Sequence, residues 1–244
     1  MSAHWDYDWA RLPLEGTVNT RDLGGLPAAG GRPTRYHRFL RSDELADLTE
    51  ADREFLYGYG VRTVIDLRGN AEALERPDVL PGDDVAYHHI SLFEVDVTQT
   101  VATAVKTIED VYLEILGHED RLLEVFQTIA EAEPGCILFH CAVGKDRTGV
   151  VAAILLTLAG CDHEDIAANY TQSGDHLMRT DWYREYFKHD MSEVTRGHLV
   201  PYARFIRSVL DRIERGHGSI DLFLRHLGLE DGQIAAIRSR LLDE

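Results

Sequence analysis

A cysteine and an arginine with five residues between them concentrate the chemistry of this chain: His140-Cys141-Ala142-Val143-Gly144-Lys145-Asp146-Arg147-Thr148-Gly149. A loop of that length, closing on the start of a helix, can turn its successive backbone N–H groups inward into a concave nest for an anion, and phosphate fits such a nest. The amides would come from Ala142, Val143, Gly144, Lys145, Asp146 and Arg147. Cys141 would lie at the floor, where the amides, the positive helix end and Arg147 all favour the thiolate and make it a nucleophile at neutral pH. The planar Arg147 guanidinium can take two oxygens of a phosphoryl group at once, a contact that strengthens as negative charge spreads in the transition state. A lysine lacks that fork.

The elements around the loop suit the task. Pro134 and Gly135 break a preceding helical pattern, and Cys136 to Phe139 is a short, wholly apolar run with the look of a central parallel strand. From Arg147 to Ala159 the chain is helical in pattern and apolar on almost every side, which implies a helix buried mid-domain. Upstream, Thr49-Glu-Ala-Asp resembles a capping box, Phe55, Leu56 and Tyr59 follow on one face, and Gly60 is placed to stop that helix. Val61 to Leu67 and Val85 to Ile90 read as strands, and Thr98 to Leu116 and His118 to Ala132 as helices. Beyond Cys161 the pattern is helical near Glu164 to Gln172, Tyr202 to Arg215, Ile220 to Leu227 and Gln233 to Leu242. The expected fold class is α/β, a parallel-rich central sheet flanked by helices with a helical C-terminal portion, and the loop at the carboxyl end of its strand. Without internal repeats, residues 1–244 read as a single domain, with 173–199 as a candidate helical lid.

The stretch HCAVGKDRTG resembles the active-site loop of the cysteine-dependent protein-tyrosine phosphatase superfamily. Its Gly-Lys-Asp-Arg-Thr form is similar to the bacterial tyrosine and dual-specificity phosphatases with phosphoinositide-phosphatase-like loops. Asn19-Thr20-Arg21-Asp22-Leu23-Gly24-Gly25 looks like that family's amino-terminal signature, and Arg41-Ser42-Asp43-Glu44-Leu45 followed by Ile65-Asp66-Leu67-Arg68 keeps its order. The resemblance implies a phosphatase-like fold and a phosphomonoester hydrolase. In it Cys141 attacks phosphorus to give a cysteinyl-phosphate, Arg147 and the loop amides bind the oxygens, Thr148 hydrogen-bonds the departing sulfur, and His140 steadies the loop. It implies phosphotyrosine in a protein or peptide as substrate, with phosphoserine, phosphothreonine or phosphoinositide also open, since Lys145 adds a positive charge at the rim. The reaction needs an acid for the leaving oxygen and then a base for water. Relatives with this loop favour Asp146; others supply an aspartate from a separate loop, which here is Asp96, with Glu94 a weaker substitute. Arg21 and Asp66 are secondary candidates. The chemistry requires no metal and no cofactor. The alternative of another class is a phospho-ligand binding module that keeps the nest but does not turn over, against which Cys141, Asp146 and Arg147 together argue.

Composition narrows the partners. The chain is 44% hydrophobic and 27% charged, which is globular, and 25 basic against 42 acidic residues leave a formal charge of −17. A field of that sign with scattered basic residues disfavours nucleic acid. The longest apolar run, Val150 to Ala159, is about half the ~20 residues a membrane span needs. No secretory leader pattern is visible at the start, and three cysteines are an odd number, so a cytoplasmic protein with free thiols is expected. His88, His89 and His163 lack paired metal-ligand spacing, and Gly144-Lys145 lacks the earlier glycine and following Ser or Thr of a nucleotide P-loop. Asp66 and Arg68 read either as pocket residues or as an internal ion pair. Tyr170, Trp182, Tyr183, Tyr186 and Phe187 could wall a pocket deep enough for a phenyl ring, though such clusters are more often packing.

Overall fold

The computed structural model describes residues 10–93, 108–186, 188 and 200–242. Among them a five-stranded sheet is formed by β1 (Arg21–Asp22), β2 (Phe39–Ser42), β3 (Val61–Asp66), β4 (Ala86–His89) and β5 (Cys136–His140) in the order β1-β2-β5-β3-β4. β1 runs antiparallel to β2, and every other pairing is parallel. β5 takes the centre because CILF has no solvent face to offer: Ile137 and Phe139 enter one apolar cluster, Cys136 and Leu138 the other.

The helices divide between those two clusters. α1 (Glu50–Tyr59), closed at its start by the Thr49/Asp52 capping box and at its end by Gly60 at φ 102°, puts Leu56 into the smaller cluster with Leu12, Leu14, Leu40 and Val64. The larger cluster gathers α3 (Ile108–Gly117), α4 (Glu119–Glu131), α5 (Asp146–Ala159), α6 (His163–Leu177), α8 (Ala203–His217), α9 (Ile220–Leu227) and α10 (Asp231–Leu241). α5 is buried along nearly its whole length, as its unbroken apolar sequence demands, so truncating Leu155 or Ile154 would cost about 2–5 kcal/mol. Two short helices complete the set, α2 (Asn70–Glu75) after β3 and α7 (Asp181–Tyr186) after α6. Among the described residues no helix is long and apolar enough to cross a membrane.

Several boundaries differ from the sequence reading. β1, β2 and α2 are too short or too polar to show a period, yet all three reach the site. α6 runs on to Leu177, so Ser173 to Leu177, expected to open a lid, form its last turns, with Ser173 fully buried. Of the rest of that expected segment, 187 and 189–199 lie outside the described residues, as do 98–107 of the helix expected from Thr98.

Candidate active site

The parallel register brings three strand ends to one place. Ser42 of β2 and Asp66 of β3 both stand opposite His140 of β5, so the segments that follow them converge. Residues 141–145 form the loop from β5 to α5, and three of its successive carbonyls are tied to surrounding elements. Ala142 O accepts from Glu44 N–H (3.1 Å), Val143 O from Asn19 Nδ2 (2.8 Å) and Gly144 O from Arg41 Nη2 (2.9 Å). With its carbonyls held on one edge, the loop has its amide edge to offer a ligand. Gly144 is required there: its φ is +68°, and a Cβ would stand 2.5 Å from Ser42 O. α1, α6 and α9 have their first amides capped by a side chain, whereas α5 begins with no side-chain cap. An anion at that end would satisfy the exposed N–H groups.

Cys141 is 1% exposed and faces two guanidiniums, those of Arg147 and Arg41, electrostatically. Arg147, at the first turn of α5, donates Nη1 to Glu72 Oε2 (2.5 Å) and Nη2 to Glu72 Oε1 (2.8 Å), and Nη1 also approaches Phe93 O (3.3 Å). Glu72 is itself held by its capping contact with Gly69 N–H (2.8 Å) at the start of α2. Burial would raise its carboxyl, but the Arg147 fork outweighs that and holds it below the usual range. The remaining N–H groups of Arg147 can serve a phosphoryl oxygen pair.

Behind the loop lies a buried cluster. Arg68 binds Asp66 through Nε and Nη2 (2.9 and 2.7 Å) and Asp78 through Nη2 (2.8 Å). His140 Nε2 lies 2.9 Å from Asp78 Oδ2 and 3.8 Å from Asp66 Oδ1. Burial alone would lower the His140 pKa; contact with Asp78 and the charge of Asp66 reverse this and raise it. Asp66, Asp78 and His140 offer ligand atoms within 4.8 Å of one another, the one such group among the described residues. A metal ion does not fit, because the Arg68 guanidinium already supplies the cation between the two carboxylates.

Asp146 stands on the opposite side. Its Oδ1 accepts from Tyr112 Oη of α3 (2.6 Å), and Tyr112 Oη in turn meets Tyr170 Oη of α6. Both tyrosines are raised well above their ordinary pKa by burial and by the Asp146 charge, so they remain hydroxyl donors. Thr148 Oγ1 is fully buried and has no hydrogen-bond partner among the described residues.

The fold thus brings His140, Cys141, Asp146, Arg147 and Thr148 into one loop and helix start. Lys145 departs from expectation: it is 2% exposed, with Nζ 3.1 Å from Asp146 Oδ1, not at an open rim, because the neighbouring carboxylate draws it inward. Asp66, a secondary candidate, belongs to the cluster behind the loop; Arg21 lies beneath it among Asn19, Asn169 and Ser173. Asp96 and Glu94 lie outside the described residues. Of the expected ring wall, Tyr170 and Tyr183 are buried and Trp182 is exposed; Phe187 is outside the described residues. Sequence reasoning did not single out Glu72, Asp78, Tyr112 or Asn169. Asn19 and Arg41 were at least inside the two short segments that carried the resemblance.

Comparison with known proteins places the chain among its relatives. A family model described as the tyrosine phosphatase family matches residues 12–243. A tyrosine-protein phosphatase of Nostoc commune is 32% identical over 228 residues, 88% of this chain and 78% of that relative. The triple specificity protein phosphatase PtpB of Mycobacterium tuberculosis is 26% identical over 276 residues, covering 94% of this chain and 98% of that one. A crystal structure of TpbA from P. aeruginosa is a more distant likeness, with a TM-score of 0.40 and 14% identity over 79% of this chain and 87% of that one.

Proposed function

The chain belongs to the tyrosine phosphatase family, a phosphoric monoester hydrolase, and from that premise we propose a reaction through a cysteinyl-phosphate on Cys141, with phosphotyrosine in a protein or peptide as the first substrate. The observation that carries the reading is the β5–α5 loop itself: a buried cysteine, an uncapped helix start, an arginine on its first turn, and three carbonyls tied back by Glu44, Asn19 and Arg41.

In the first step the Cys141 thiolate forms an S–P bond as the bond from phosphorus to the leaving oxygen breaks. The loop amides and Arg147 receive the charge that spreads over the equatorial oxygens. Asp146 gives its proton to the leaving oxygen, held toward the loop by Tyr112. In the second step water attacks phosphorus, Asp146 takes its proton, the S–P bond breaks and orthophosphate leaves. The Thr148 hydroxyl, buried and without a partner among the described residues, donates to the departing sulfur, and His140, held by Asp78, steadies the loop's entry.

The relative in M. tuberculosis bears the name of a triple specificity protein phosphatase, which supports a range broader than phosphotyrosine; the further substrates of this reading are phosphoserine, phosphothreonine and phosphoinositide headgroups. The free cysteines support a cytoplasmic place. The test is turnover of an aryl phosphate in EDTA by wild type and Cys141→Ser, with acid quench and mass spectrometry for a +80 Da adduct. Metal-independent turnover lost in the variant, with the adduct on Cys141, supports the enzyme. Equal background in both, with tight binding of a phosphopeptide, would replace it with a non-hydrolysing module.

A further inference from the structure

Arg21 stands directly opposite Arg41 across the β1–β2 pair, and the two side chains are 0% and 1% exposed. Like charges facing each other across a strand pair destabilise a sheet, and a buried charge ordinarily has an acid beside it. Among the described residues neither arginine hydrogen-bonds an acid. Arg21 donates Nη1 to the backbone and side-chain oxygens of Asn19 (2.8 and 2.6 Å) and Nη2 to Asn169 O and Ser173 Oγ (both 2.9 Å). Arg41 donates Nη1 to Asn169 Oδ1 (2.8 Å) and Nη2 to Gly144 O (2.9 Å). All of these acceptors are neutral. Acids act on the pair only through space: Asp43 on Arg21, committed to the N–H groups of Val18 and Asn19 (both 3.0 Å), and Asp146 on Arg41, taken up by Tyr112 Oη (2.6 Å) and Lys145 Nζ (3.1 Å).

A fold that tolerates two such charges at the back of one loop has a use for them. Their position identifies it. Arg41 reaches the loop past Gly149 of α5, where a Cβ would lie 3.7 Å from its Nη2, and ends on the Gly144 carbonyl. Burial lowers the Arg41 pKa to about 10, and of the groups that oppose this shift the Cys141 sulfur acts most strongly. The other buried arginines among the described residues are paired with acids, Arg68 with Asp66 and Asp78 and Arg147 with Glu72.

Building on the phosphatase reading, we propose that Arg41, backed by Arg21, is a positioning residue that serves as a second, deliberately unneutralised positive charge of the site. It fixes the Gly144 carbonyl outward and lends the Cys141 thiolate and the bound oxyanion a field that Arg147, engaged with Glu72, supplies only in part. Asn169 is the spacer that lets the two arginines be held without being neutralised.

The experiment exploits Asn169. Asn169→Asp keeps an acceptor for Arg41 Nη1 and leaves the backbone carbonyl to Arg21, but places a negative charge between the two guanidiniums. The readouts are the pH profile of Cys141 alkylation by iodoacetamide, tungstate binding read as protection of Cys141 from that alkylation, and thermal melting. The other ionisable groups around the sulfur, namely Arg147, Lys145, Asp146, His140, Glu72, Tyr112 and Tyr170, are unchanged in the variant. The expected result is an alkylation midpoint raised by roughly one unit and tungstate binding weakened about tenfold, with the melting temperature kept or raised. Arg41→Lys and Arg41→Gln ask the same question should Asn169→Asp not fold: lysine should keep the alkylation midpoint near that of wild type, and glutamine should raise it. A folded Asn169→Asp, or a folded Arg41→Gln, with wild-type alkylation and tungstate profiles overturns the proposal. Failure of the phosphatase reading is seen separately, as wild-type protein without EDTA-resistant turnover, since alkylation and tungstate binding are measured without catalysis.

Discussion

Glu72 holds both terminal nitrogens of Arg147, with Oε2 2.5 Å from Nη1 and Oε1 2.8 Å from Nη2, while its capping contact with Gly69 anchors the carboxylate to α2. The guanidinium plane is therefore fixed before a phosphoryl group arrives, which is the condition under which a fork of donors favours the transition state over the ground state.

Removing the charge from Glu72 should free that plane. For Glu72→Gln, kcat/KM should fall on the order of 10- to 100-fold, about 1.4–2.7 kcal/mol of transition-state stabilisation. Glu72 has its pKa depressed by Arg147 against the effect of burial, so its contribution to stability is present above its unfolded value of about 4.3 and is lost as pH falls through the folded one. Denaturant melts of wild type and Glu72→Gln between pH 3 and 7 check this: the gap between them should close toward the acid end.

Tyr112 acts on the site through its hydrogen bond to Asp146. Tyr112→Phe keeps the ring packing against Tyr170 and Phe205 but deletes the donor to Asp146 Oδ1. The expected outcome is a kcat loss of about 5- to 30-fold on phenyl phosphate, whose leaving group needs a proton, and a much smaller loss on p-nitrophenyl phosphate, which does not. Equal losses on both substrates would remove Tyr112 and Asp146 from proton transfer. Asp146→Asn and Asp96→Asn, compared by pH-rate profile, identify the acid: the variant that retains a normal basic limb is not it.

His140 holds its proton more tightly because of Asp78. Its pKa is raised because the contact with Asp78 and the charge of Asp66 outweigh burial, so the folded chain binds that proton more tightly than the unfolded chain does. The stabilisation is full below about pH 6.5, the ordinary histidine value, and is lost as pH rises through the folded value. The stability difference between wild type and His140→Gln, read from urea melts, should narrow from pH 6 to pH 9.

Gly144 has no substitute. Alanine there must adopt φ +68° and bring a Cβ to 2.5 Å from Ser42 O. Left-handed backbone alone costs about 1–2 kcal/mol, and displacement of the loop by an ångström should lower kcat/KM on the order of 100-fold. Melting and steady-state kinetics of Gly144→Ala measure the two effects independently.

Local order and local spacing determined much of this protein from the sequence alone. Cys136 to Phe139 had to be a buried central strand and Val150 to Ala159 a buried helix because neither has a polar face, and a strand, loop and helix in that order with Cys141 and Arg147 at its two ends defines an anion nest within ten residues. Tertiary structure decided what surrounds the nest. Parallel pairing set Asp66 and Ser42 beside His140, although they lie 74 and 98 positions earlier in the chain. The Glu72 fork, the Tyr112 donor and the Arg21–Arg41 pair likewise join residues whose separations carry no period. A helical or strand repeat reports which side of an element is buried; it is silent about which buried polar group meets which, because that depends on register and packing between elements far apart in the chain.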